Sequence, residues 1–113
     1  MTATIYFFSE RGYAPMKDAK LKNLTSGSHG WQPEGQAWVF GVVHVKEGVH
    51  PLDVVDHMAS LGITVLPSVW DSATPIDQKV YAALSPWVSA ADNTRAIAEK
   101  MGRMHPHIRP HFY

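Results

Sequence analysis

Apolar residues fall along this chain with two different periods. Ala3 to Ser9 is rich in β-formers, with Ile5 and Phe7 on one side and Tyr6 and Phe8 on the other, and it reads as a strand covered on both faces. Gln36 to Lys46 shows the same character more strongly. Ala37, Val39, Val43 and Val45 share one face and Trp38, Phe40 and Val42 the other, which predicts a central strand. Ile63 to Trp70 is a third run of strand length. Between the last two, Leu52, Val55 and Ala59 with Val54, Met58 and Leu61 recur at helical spacing, opposite Asp53, Asp56, His57 and Ser60. Pro51 suits the first turn of that helix, Asp53 the positive end of its dipole, and Gly62 its stop. A strand, helix, strand unit with short connections implies a right-handed crossover and a parallel pair.

Further on, Ile76, Val80, Leu84 and Trp87 keep helical spacing from Thr74 and Pro75 to a break near Pro86, with Trp87 closing the core. Ser89 and Asp92 resemble a capping box for a helix that carries Ile97 and Met101 and ends at Gly102. Met104 to Tyr113 alternates again. His105, His107, Arg109, His111 and Tyr113 fall on one side, and Pro106 and Pro110 on the other confine the segment to an edge strand or an extended arm.

Glu10 to Gly35 has the weakest pattern. Pro15 to Leu24 suits one or two helical turns, and Gly27, Gly30, Pro33 and Gly35 punctuate a loop, a candidate lid, binding loop or dimer arm. Together the elements predict an α/β (α+β) two-layer sandwich: a four-stranded mixed sheet, helices mainly on one face, and a proline-containing C-terminal edge strand. A ferredoxin-like arrangement is the nearest common architecture. It expects a hairpin between its middle strands, where this pattern reads helices.

Composition narrows the picture. The 113 residues, 45% of them hydrophobic, suffice for one domain over 1–113. Ten basic residues balance ten acidic ones, which argues against general nucleic-acid binding and leaves little repulsion between copies. With four residues each of Trp, Tyr and Phe, this favours a homo-oligomer, expected to be a dimer. The chain has no cysteine, so disulfides, thiolate nucleophiles and Cys-type zinc sites are excluded. Its longest apolar run, Ala37 to Val43, is far short of the roughly 20 residues of a membrane-spanning helix. No basic segment precedes Ile5 to Phe8 as in a secretory signal, so a cytoplasmic protein is expected.

Histidine dominates the candidate chemistry. His105, His107 and His111 project the same way from an extended chain and could meet a Zn or Ni ion, but Arg109 among them repels a cation and welcomes a carboxylate or phosphate. An anionic small molecule is therefore expected there rather than a metal, with no cofactor. His44, on the face of Trp38, Phe40 and Val42, suits a general base or, more commonly, a hydrogen-bonded core histidine. Asp53 and His57 lie one helical turn apart; such a pair is usually a surface contact, and no nucleophile can be placed beside it from sequence. Gly27, Ser28, His29 and Gly30 could offer N–H groups to an anion but read as a turn.

Walker, dinucleotide, nucleophile-elbow and two-histidine zincin motifs are all absent. Trp31, inside the polar stretch, is the best candidate for an exposed aromatic residue. The expected function is binding of a small, anionic molecule in a pocket near the C-terminal histidine/arginine edge, through Trp31, His44, His107, Arg109 and His111. The alternatives are a small enzyme using His44 or the terminal histidines as acid and base, and an interaction module of the adaptor, antitoxin or immunity type.

Overall fold

The computed structural model describes residues 3–66, 78–89 and 92–104. Along the chain it runs β1 (Thr4–Ser9), a 3-10 turn (Ala14–Lys17), α1 (Ala19–Leu24), β2 (Thr25–Trp31), β3 (Val39–Val45), α2 (Pro51–Ser60), β4 (Thr64–Val65), α3 (Gln78–Leu84) and α4 (Thr94–Met104). The four strands form one sheet in the order β2-β3-β1-β4, and every neighbouring pair is antiparallel. The α+β sandwich expected from the sequence is present, with its sheet antiparallel throughout rather than mixed.

The parallel pair expected around α2 is split. Strands β3 and β4 point the same way, but β1, apolar on both sides, lies between them and pairs with each. This is the βαββαβ plan of the ferredoxin-like arrangement. The hairpin it requires is β2–β3, formed from residues whose pattern reads as a loop. Thr25–Trp31 has poor strand propensity, with two glycines and two serines, yet it pairs with β3 from Thr25↔Val45 to Trp31↔Phe40. Pairing to a strongly apolar neighbour overrides propensity here.

The glycines have a packing role. Gly30 lies opposite Gly41, where an added Cβ on Gly41 would sit 2.1 Å from the His29 carbonyl oxygen and 2.8 Å from the Phe7 ring. A Cβ on Gly30 would fall 2.5 Å from Val39 and 2.9 Å from the Tyr13 ring. The pair thus makes a notch that the rings of Phe7 and Tyr13 occupy.

Alternation sends the side chains of β1 and β3 into two cores. Ile5, Phe7, Val39, Val43 and Val45 pack with Leu21 of α1, Val54 and Met58 of α2, and Ile63. Phe8, Phe40 and Val42 pack with Trp31, Trp38 and Leu66, Val80 and Leu84 of α3, and Ile97 of α4. Helices therefore cover both faces of the sheet, not mainly one. Full burial of each large apolar side chain is worth about 1.5–3 kcal/mol, so leaving the aromatic face open would forfeit several such contributions.

Helix α2 begins and ends where the sequence places it. Pro51 is its first residue, and His50 caps it by accepting the Leu52 N–H through Nδ1 at 3.1 Å. At the other end Gly62, with φ 78°, donates to the Ala59 carbonyl while Ile63 donates to that of Met58, each at 3.0 Å, a Schellman motif. Arg11 donates to the carbonyl of Leu61. The buried positions are Val54 and Met58; Leu52, 61% exposed, is not part of the core-facing stripe.

Helix α3 ends at Leu84, ahead of Pro86, and Trp87 packs edge-on against Trp38 with ring centroids 5.8 Å apart. The Ser89 N–H does bond the Asp92 carboxylate, at 2.8 Å, but ahead of α4 rather than at its cap. Asn93 caps α4 through the Ala96 N–H at 2.7 Å, and the helix runs past Gly102 to Met104. The expected positions of Trp70, Thr74, Pro75 and Ile76, and the C-terminal edge strand, lie outside the described residues. Among the described residues no helix is long and apolar enough to cross a membrane.

Replacing Gly41 by Ala is expected to lower stability by roughly 2 kcal/mol or more, because backbone of β2 has to move. At Gly48, with φ 86° and nothing within 4 Å of an added Cβ, the cost of Ala is that of the backbone conformation alone, about 1 kcal/mol. Urea unfolding of the two variants tests the ranking; equal losses would contradict the close approach of β2 to β3.

Candidate functional site

The strand registers place two imidazoles side by side on the aromatic face of the sheet. Thr4 and Gly27 both pair with His44, while His29 pairs with Val42 and Trp31 with Phe40. His29 and His44 are therefore diagonal neighbours on adjacent strands, within reach of one another across the sheet. Thr4 Oγ1 lies 3.2 Å from His44 Nδ1, and Gly27 is the β2 residue directly across from His44. The Nε2 atoms of both rings, like Nε1 of Trp31, are shut off from solvent. Tyr6, packed against the same core, and Phe40, 6.3 Å away between ring centroids, wall this region.

Strand alternation assigns His44 to this face correctly, but Trp31 differs from expectation. It is the last residue of β2, directly across from Phe40 at 5.5 Å between ring centroids, and it is 0% exposed. A tryptophan paired across strands in a covered sheet belongs to the core, so it forms a wall of the interior rather than an exposed stacking platform. His29, read from the sequence as part of a turn, becomes a strand residue pointing to the same side as His44. His107, Arg109 and His111, and His105 with them, lie outside the described residues.

A second cluster joins the two helices on the other face. His57 of α2 pairs not with Asp53 but with Asp18, whose Oδ2 lies 2.6 Å from its Nε2. Asp18 is also the N-cap of α1, accepting the Leu21 N–H at 3.0 Å. The hydrogen bond from His57, followed by that from Leu21, holds the Asp18 carboxyl below the usual aspartate range. The side chains are 15% exposed for His57 and 31% for Asp18, so the pair is half-buried, where a contact outlasts an i,i+4 pair on an open helix face. Aspartate before Ala19–Leu24 is a visible cap signal; its imidazole partner, 39 residues away, is not. Ser60 Oγ lies 3.5 Å from His57 Nδ1 and donates to the His57 carbonyl at 2.6 Å.

Two open hollows flank the pair. One of about 480 Å³ is lined by Lys20, Leu24, Asp53, Asp56, His57 and Ser60. The other, about 410 Å³, lies among Arg11, Lys17, Asp18 and Leu61. Among the described residues no group of three or more histidines and carboxylates converges as a metal site. No protein-family model, curated protein or solved structure matches the chain, so its function has to be read from its own residues.

Because the pair lowers the Asp18 pKa, its stabilisation is complete above the ordinary aspartate range and is lost as pH falls through the lowered value. Asp18→Asn keeps a capping oxygen and loses the charge. Its urea midpoint is expected to lie below that of the parent protein at neutral pH, with the gap closing in strong acid. A gap independent of pH would show that the pair does not stabilise the fold through its charge.

Proposed function

We propose that the protein is a small-molecule-binding domain that holds a small anionic, partly apolar ligand, such as a carboxylate, against the sheet face carrying His29 and His44. The observation that carries this reading is the pair of neighbouring imidazoles, their Nε2 atoms away from solvent, on a face otherwise built of Tyr6, Phe8, Trp31, Phe40 and Val42. Imidazoles that can donate and accept hydrogen bonds beside aromatic side chains are polar groups of the kind that orient a ligand in a mostly apolar site. The two rings offer hydrogen bonds to an anion while Tyr6, partly buried against the same core, takes its apolar part. His107, Arg109 and His111 join this proposal on their sequence pattern alone, which adds three further donors. Self-association into a dimer belongs to the same reading, supported by balanced charge.

An acid–base enzyme is the second reading, favoured by the Thr4 hydroxyl at His44 Nδ1, which orients the ring. An interaction module has less support: the large exposed apolar residues among those described, Tyr13, Leu52 and Tyr81, belong to three separate segments.

Thermal-shift titration with small carboxylates tests the reading. A ligand at a hundred times its Kd stabilises the native state by about 2.7 kcal/mol. The shift is expected to vanish in the His29→Gln/His44→Gln double variant. A carboxylate response that the double variant retains would remove the site from this face, and a pH-dependent turnover lost with His44→Gln would favour the enzyme.

A further inference from the structure

The hollow between α1 and α2, on the opposite side of the sheet from His29 and His44, carries a chemistry of its own. Asp18, His57 and Ser60 stand in line, with 2.6 Å from Asp18 Oδ2 to His57 Nε2 and 3.5 Å from His57 Nδ1 to Ser60 Oγ. An ionised carboxylate only accepts, so His57 carries a proton on Nε2, and the neutral form of the ring has its Nδ1 lone pair on the side of Ser60. A nucleophile beside a base, with the base held by a third group, is the arrangement that activates serine for acyl transfer, and the nucleophile-to-base distance is often loose before substrate binds.

We infer that Ser60 is an acyl-accepting nucleophile activated by His57, with Asp18 as its positioning residue, and that the substrates are small carboxylic esters. Ser60 is exposed at the C-terminal end of α2 and lines the 480 Å³ hollow together with His57. Its hydroxyl now donates to the His57 carbonyl, and a rotation about χ1 redirects it to Nδ1. Lys20 lines the same hollow from α1 and supplies the positive charge that a developing oxyanion needs near the carbonyl-rich end of a helix. Asp53 and Asp56 repel anionic esters, so the class is neutral or positively charged.

The step balances without a redox partner. Ser60 Oγ bonds to the ester carbonyl carbon as its proton passes to His57 Nδ1. Collapse of the tetrahedral intermediate breaks the carbon–alkoxy bond, and the alcohol leaves with that proton. Water then repeats the attack on the acyl-serine, giving its proton to Nδ1; Ser60 Oγ recovers a proton as the carboxylic acid departs.

Intact-mass measurement with peptide mapping, after exposure of the full chain to 4-nitrophenyl acetate and separately to an alkyl fluorophosphonate, tests the inference. Acetyl and phosphonyl adducts are expected on Ser60, absent in Ser60→Ala. His57→Gln is expected to slow labelling by about a hundredfold or more. Asp18→Asn, which frees the other tautomer, is expected to change the pH profile of labelling, a readout that a purely structural role would leave unmoved. Absence of label on Ser60 in the parent protein overturns the inference, as does labelling of Ser60 at an unchanged rate in His57→Gln.

Discussion

Val39, Phe40, Val42 and Val43 alternate between the two faces of β3, and all four are 0% exposed. At these positions neither side of β3 meets water, and much of the architecture follows from that. One face takes α1 and α2 through Leu21, Val54 and Met58, as the βαββαβ plan provides. The other takes α3 and α4 through Val80, Leu84 and Ile97, which convert an arrangement of two layers into one with helices on both sides. Strand β1, apolar on both faces as well, takes the position beside β3 and separates β3 from β4.

Within this frame the polar groups occupy two distinct places. His29 and His44 lie on the aromatic face, diagonal to one another on β2 and β3. Asp18 and His57 lie between the helices of the other layer, where one carboxylate both caps α1 and ties it to α2. The sheet stands between the two clusters, so a substitution in one reaches the other only through the packed strands.

How far the sequence reveals this depends on the range of the interactions involved. The strands Thr4–Ser9 and Val39–Val45 and the helix from Pro51 to Gly62 are legible because period and local punctuation agree. The face of His44 follows from simple alternation. Strand β2 is not legible: its glycines and serines signal a turn, and only pairing with β3 and the Gly30–Gly41 notch make it a strand. Trp31 inherits that misreading, since its burial depends on a partner strand. Asp53 is the obvious neighbour of His57 along the helix, but a half-buried carboxylate from another element is the better partner, and no local pattern announces it.

The ring nitrogens of His29 and His44 report most directly on the proposed ligand site. Long-range proton–nitrogen correlation spectra of the imidazoles, recorded with and without benzoate, separate these residues from His50, whose Nδ1 caps α2. Binding at the aromatic face predicts that the His29 and His44 signals move together and saturably while that of His50 stays in place. Signals of His29 and His44 that ignore benzoate and other small carboxylates at every pH where the protein is folded would contradict it.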